Sequence, residues 1–186
     1  MIITILILII LIWAYLVGQS RGLALQGYYT LGSWLAIFIA LTNYQALAEK
    51  ITLWVPFASA TSESKLAVYP ARLLFEVDHV FYAALAFMVI FLVAYGLVRL
   101  VGIFLGALDN KMILGKAGNI LAGALAVCSA YFVLLLVLMV LSTIPISLVQ
   151  NQLTASGLAR LMLVDTPFFS GWLQEIFITQ ITHIKV

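Results

Sequence analysis

Apolar residues run almost without interruption along this chain, and the few charged ones punctuate it. Residues 1–20 carry no charge, Arg21 interrupts, and 22–48 is again charge-free. A mixed segment runs from Glu49 to Asp78. Residues 79–98 are uncharged up to Arg99, and 100–108 up to Asp109. After Lys111 and Lys116 comes the longest uncharged run, 117–159. A helix needs about 20 mostly apolar residues to cross about 30 Å of hydrocarbon. Apolar density inside these runs predicts four such helices, over roughly 2–18, 23–43, 79–104 and 118–145. In lipid each has to be helical, because an unpaired backbone group is costly there. The first lacks a basic leader and a small-x-small cleavage site before Gly18, so it is expected to be an uncleaved span rather than a signal peptide.

The connections differ in kind. Gly18-Gln19-Ser20-Arg21-Gly22 has room only for a tight turn between antiparallel helices. The segment 44–78 is longer. Tyr44, Leu47, Ala48, Ile51, Trp54 and Val55 share one helical face, with Gln45, Glu49, Lys50 and Thr52 on the other, and Pro56 stops the pattern. This predicts an amphipathic helix over 44–56 lying in the membrane interface, with Trp54 as an anchor. A small, polar linker, Ala58 to Lys65, and a turn at Tyr69-Pro70 follow. Pro145 ends or kinks the fourth span. Phe168, Phe169, Trp172, Leu173, Ile176 and Phe177 then form another apolar stripe, too short to cross, which predicts a second interfacial helix over 168–178. The fold class is all-α integral membrane, with four transmembrane helices and flanking interfacial ones.

Composition agrees with this reading: 65% of the 186 residues are hydrophobic and 9% charged, against roughly 45–50% and 25% in a soluble domain. The net charge is only +2, and the nine basic residues are scattered, so nothing points to nucleic acid. Cys128 stands alone in an apolar run and is expected to be a small buried residue; it can form neither an internal disulfide nor a zinc site. Basic residues are densest in the short loops, where Arg21, Arg99, Lys111 and Lys116 are counted. By the positive-inside rule this places 18–22 and 105–117 in the cytoplasm and both termini outside.

Lipid offers no hydrophobic drive between helices, so close approach depends on small residues. Gly118, Ala122, Ala126 and Ala130 form one such row, and Gly115, Asn119 and Gly123 another. Gly32, Ala36 and Ala40 form a third, and Gly102 and Gly106 a fourth. Packing within the chain is the simplest reading of these rows; homo-oligomerisation is the sharper one.

Little supports catalysis. Glu76-x-x-His79 has the spacing of a di-metal carboxylate motif, but the only other histidine is His183, and Asp78 reads as a helix-start acid. No span has an acid near its middle, as coupled transport or aspartyl proteolysis in the membrane requires. No cofactor, metal or catalytic residue is expected. Arg21 and Asp109 are the more informative pair. Arg21 either snorkels to headgroups or meets Asp109 across the two short loops.

These residues resemble the colicin V production protein (CvpA) family. The resemblance rests on Ser20-Arg21-Gly22-Leu23 after the first span, Leu108-Asp109 after the third, and Leu114-Gly115-x3-Asn119-x3-Gly123 opening the fourth. The family's arginine after the aspartate is Asn110 here, with Lys111 nearby. Its middle glycine is Asn119, beside Gly118, and a basic–acidic pair after Arg-Gly is replaced by Leu25 and Gln26. Trp54-Val55-Pro56-Phe57 looks like the Gram-positive branch. The resemblance marks Arg21, Gly22, Asp109, Gly115, Asn119 and Gly123 as motif residues. It implies a bacterial plasma-membrane accessory protein linked to toxin production or export and to envelope maintenance. Membrane lipid, protein partners or a second copy would be its contacts, and an oligomeric transporter or channel-like component is the alternative. Some relatives carry an extracytoplasmic serine protease domain, which agrees with an outside C-terminus; no protease activity is expected of this sequence.

Overall fold

The computed structural model describes residues 2–57, 76–108, 115–164, 166 and 169–176. Asp109, the Ala58–Lys65 linker, the Tyr69-Pro70 turn, and Phe168 and Phe177 of the last stripe lie outside them. Four long helices dominate: α1 (Ile2–Arg21), α2 (Leu23–Ile51), α3 (Val77–Leu108) and α4 (Gly115–Thr143). Each is long and apolar enough to cross a membrane. Three short ones follow: α5 (Ser147–Thr154), α6 (Gly157–Val164) and α7 (Phe169–Gln174). No strand occurs among the described residues. The protein is an all-α, multi-pass membrane protein.

The four long helices overlap the four expected spans: α1, α2 and α3 run longer, whereas α4 starts before residue 118 and stops short of 145. One residue, Gly22, separates α1 from α2, and its φ of 82° lies in the left-handed region that only glycine enters without strain. At about 1.5 Å per residue, α1 is about 30 Å long, one hydrocarbon thickness, and α2 is about 44 Å. The helix break expected near residue 43 does not occur, and 44–51 is not a separate interfacial helix but the end of α2. Asn43 Nδ2 donates to the Ile39 carbonyl at 2.8 Å, and Thr42 Oγ1 to that of Phe38 at 3.2 Å, so these polar side chains bond back onto the helix instead of breaking it. The amphipathic stripe begins with Tyr44, which is buried against the Phe87 ring; Leu47, Ala48, Ile51 and Val55 are half-buried. Trp54 is 84% exposed.

The chain divides into two compact units. One comprises Met1–Ile7, Tyr44–Met88 and Leu134–Val186. Its core joins Phe81, Ala84 and Val140 to Val55, Phe57, Tyr82 and Ile144. Tyr82 donates its hydroxyl to the Val55 carbonyl at 2.8 Å, closing the turn after α2 onto α3. Pro145 ends α4 outright, which leaves carbonyls without helical donors. Gln150 of α5 supplies them: its buried Nε2 donates to the carbonyls of Ser142 at 3.1 Å and Ile144 at 2.7 Å. Ser156, fully buried, caps α6 by accepting from Ala159 N–H at 3.2 Å, and its hydroxyl also pairs with Thr4 of α1 at 2.7 Å. Leu173 and Ile176 of the last stripe are buried in the chain itself.

The second unit comprises Leu8–Asn43 and Val89–Val133, and here the small-residue rows pack within the chain. A methyl at Gly18 would meet Ala126 Cβ at 2.5 Å, the Ala122 carbonyl oxygen at 2.7 Å and Gly123 Cα at 3.0 Å. Gly123 in turn lies against Tyr15 and Gln19, and Gly32 against Val98. Cys128 is exposed, not buried as expected. On a spanning helix the outward face is apolar because lipid covers it, so an apolar environment does not require burial in protein. The exposed residues Ile2, Ile5, Ile9, Ile12 and Leu16 mark the same outward face on α1.

Gly18 therefore tolerates no side chain. Gly18→Val is expected to destabilise the protein by about 1–3 kcal/mol through overpacking against backbone, seen as a lower melting temperature in detergent. Gly27→Ala, with open space around it, is expected to leave that temperature unchanged or raise it.

Candidate functional site

The second unit carries a cationic cluster built on one aromatic ring. Arg21 occupies the last turn of α1, where its charge suits the negative end of the helix dipole. Gly22 turns the chain immediately afterwards. Tyr29, two turns into α2, is 4% exposed. The guanidinium carbon of Arg21 lies 5.2 Å from the centroid of the Tyr29 ring, and that of Arg99 lies 4.9 Å from it. Arg99 also stands 5.8 Å from the centroid of Tyr95, one turn earlier on α3. Gly102, one turn further on, leaves the space that the Cε1, Cζ and hydroxyl of Tyr29 occupy. The neighbouring Tyr28 donates its hydroxyl to the Val98 carbonyl at 3.3 Å, joining α2 to α3 beside Arg99.

The two guanidinium carbons are thus within about 10 Å of each other. Two like charges at that distance repel by about 1.5–2 kcal/mol at an effective dielectric of about 20. Each cation–π contact returns about 0.5–2 kcal/mol. The ring therefore offsets the repulsion but leaves little to cover the desolvation of two cations. Each guanidinium also carries five N–H donors in its plane. No carboxylate among the described residues takes them. Nearer the start of the same helix, Gln26 is 1% exposed and its Oε1 has no partner among the described residues. Chemically, the cluster presents permanently charged donors to an anion.

Of the motif residues read from sequence, Arg21 enters this cluster and Gly22 makes its turn. Gly115 starts α4 with a φ of 54°. Gly123 packs on α1, and Asn119 lies half-buried on α4. Asp109 is outside the described residues, and with it the Arg21–Asp109 contact. Arg99 is not the loop base that charge punctuation suggests: α3 carries it inside the helix and onward to Leu108. Its signal is present in the Tyr95-x3-Arg99 spacing, which puts cation and ring on one helical face. Elsewhere, Asp78 accepts the His79 N–H at 2.9 Å in the first turn of α3. His79 lines an open groove of about 490 Å³ with Tyr44, Gln45, Glu49, Thr52 and Tyr82. Among the described residues no three His, Cys, Asp or Glu side chains cluster as a metal site would.

The family model for the colicin V production protein matches residues 3–167. The uncharacterized transmembrane protein YshB of Bacillus subtilis (strain 168) is 29% identical over 174 residues, which cover 93% of this chain and 96% of that protein. No solved structure matches the chain.

If the ring holds the arginines, its face matters and its hydroxyl does not. Tyr29→Phe is expected to unfold within about 0.5 kcal/mol of the parent, whereas Tyr29→Leu removes both cation–π interactions and costs about 1–4 kcal/mol. Gly102→Leu, which displaces the ring, is expected to resemble Tyr29→Leu. Thermal unfolding in one detergent compares all three.

Proposed function

The chain belongs to the colicin V production protein family, and from that premise we propose that it is a non-catalytic accessory module of the bacterial plasma membrane. It recruits or stabilises protein partners for toxin production or export and for envelope maintenance. The chemistry of the Arg21–Tyr29–Arg99 cluster supports this reading. Arginine stays protonated at any physiological pH, so the pair can hold an anionic group but cannot relay a proton. Relays in membranes run through Asp, Glu and His. The acids of α1–α4 are Glu49, near the end of α2, and Asp78, in the first turn of α3. In the same reading the Gly22 turn and the 105–117 loop face the cytoplasm and both termini face outside, as the density of basic residues favours.

An oligomeric transporter or channel-like component is the second reading. The open groove beside His79 and Glu49 favours it, since it offers a small solute a place to rest.

Two measurements on the full chain separate the readings. Photo-cross-linking in cells, followed by purification in mild detergent, is expected to capture a reproducible set of envelope or export proteins. The purified protein in liposomes is expected to pass no solute. Flux from the protein alone would replace the accessory reading with the transport one.

A further inference from the structure

We propose that Arg21 and Arg99 form a binding site for a phosphate group, carried either by a phospholipid headgroup or by free phosphate. The inference does not depend on the accessory role, because a transporter with the same residues would hold the same group.

Three observations carry it. First, one buried ring gathers both guanidiniums, at 5.2 and 4.9 Å from its centroid, so the two carbons stand within about 10 Å of each other before any ligand arrives. Second, each guanidinium carries five in-plane N–H donors, and no carboxylate among the described residues takes them. Two like charges held this way call for a counter-ion, and the planar fork of arginine matches the oxygens of a phosphate. Third, the depth fits. Helix α1 (Ile2–Arg21) is about 30 Å long, so Arg21 emerges where hydrocarbon gives way to headgroups. Contact with the same ring brings Arg99 to that level, although it lies nine residues before the end of α3. A snorkelling arginine reaches the headgroups on its own and without order. Here a buried ring, a glycine and two helices hold a pair of them in place.

The test uses the delipidated full-length protein in a non-ionic detergent, titrated separately with short-chain phosphatidylglycerol and with inorganic phosphate. Sodium chloride at matched ionic strength is the control. At least one phosphorus compound is expected to raise the melting temperature saturably. Saturation by phosphatidylglycerol alone identifies a headgroup site, and saturation by inorganic phosphate identifies a free-phosphate site. Arg21→Gln with Arg99→Gln is expected to weaken the midpoint by about tenfold or more for each charge-assisted hydrogen bond removed. Lys116→Gln, exposed at the start of α4, is expected to leave it unchanged. Should the double glutamine variant fail to fold, Arg21→Lys with Arg99→Lys keeps both charges but not the planar fork, and is expected to weaken binding about tenfold. A shift equal to that in sodium chloride, or one that persists unchanged in the arginine variants, overturns the proposal.

Discussion

A bilayer offers no stable place to a bare cation, and near one end of this protein's spans a single tyrosine ring holds two. The cation–π contacts of Tyr29 with Arg21 and Arg99 organise the residues around them. Gly22 adopts a positive φ so that α2 can begin one residue after α1 ends, which keeps Arg21 close to the ring. Gly102 has no side chain, so the ring can lie flush on α3. Tyr28 pins α2 to the Val98 carbonyl, one residue from Arg99. None of these residues bears the chemistry itself, but each sets where the two charges stand.

Elsewhere the protein meets the same constraint by satisfying backbone groups and by close packing. Apolar side chains cannot drive helices together in lipid, so contact depends on shape. Gly18 against Ala122, Gly123 and Ala126 supplies it in one unit. In the other, Pro145 ends a helix and Gln150 donates to the carbonyls left at that end. Ser156 caps the helix that follows and holds Thr4 of α1 as well. A buried glutamine and a buried serine would be conspicuous in a membrane protein, were they not each making two hydrogen bonds.

The four spans are legible in the sequence because charge is so costly in hydrocarbon that its absence over 20 residues has one main explanation. The turn at Gly22 is legible for the same reason that glycine is needed there. The end of α2 is not. The stripe from Tyr44 to Val55 has the period of an interfacial helix, and periodicity cannot say whether lipid or the rest of the chain covers an apolar face. Cys128 shows the mirror of that ambiguity: its apolar neighbours are compatible with burial and with exposure to lipid alike. The α5–α6 pair leaves no clear pattern because its polar residues act only through tertiary bonds: Gln150 makes sense once the α4 terminus is beside it. In the candidate site, Arg21 stands out at a span end. Arg99 reads as a loop base because a charge usually marks an edge, whereas here a buried ring makes an interior position tolerable.

The family relationship supplies the setting, and the arginine pair supplies a chemistry within it: two permanent charges beside one ring, with no carboxylate among the described residues on their donors. The most direct test measures the distance from the arginine guanidinium carbons to phosphorus, by carbon–phosphorus dipolar recoupling in phosphatidylglycerol bilayers equilibrated with inorganic phosphate. Replacing Arg72 and Arg160 by lysine confines the arginine label to Arg21 and Arg99. The account predicts a phosphorus about 4 Å from these carbons, the separation set by a direct N–H···O contact. Guanidinium carbons still in contact with the tyrosine ring, but with no phosphorus within hydrogen-bonding reach, would contradict it.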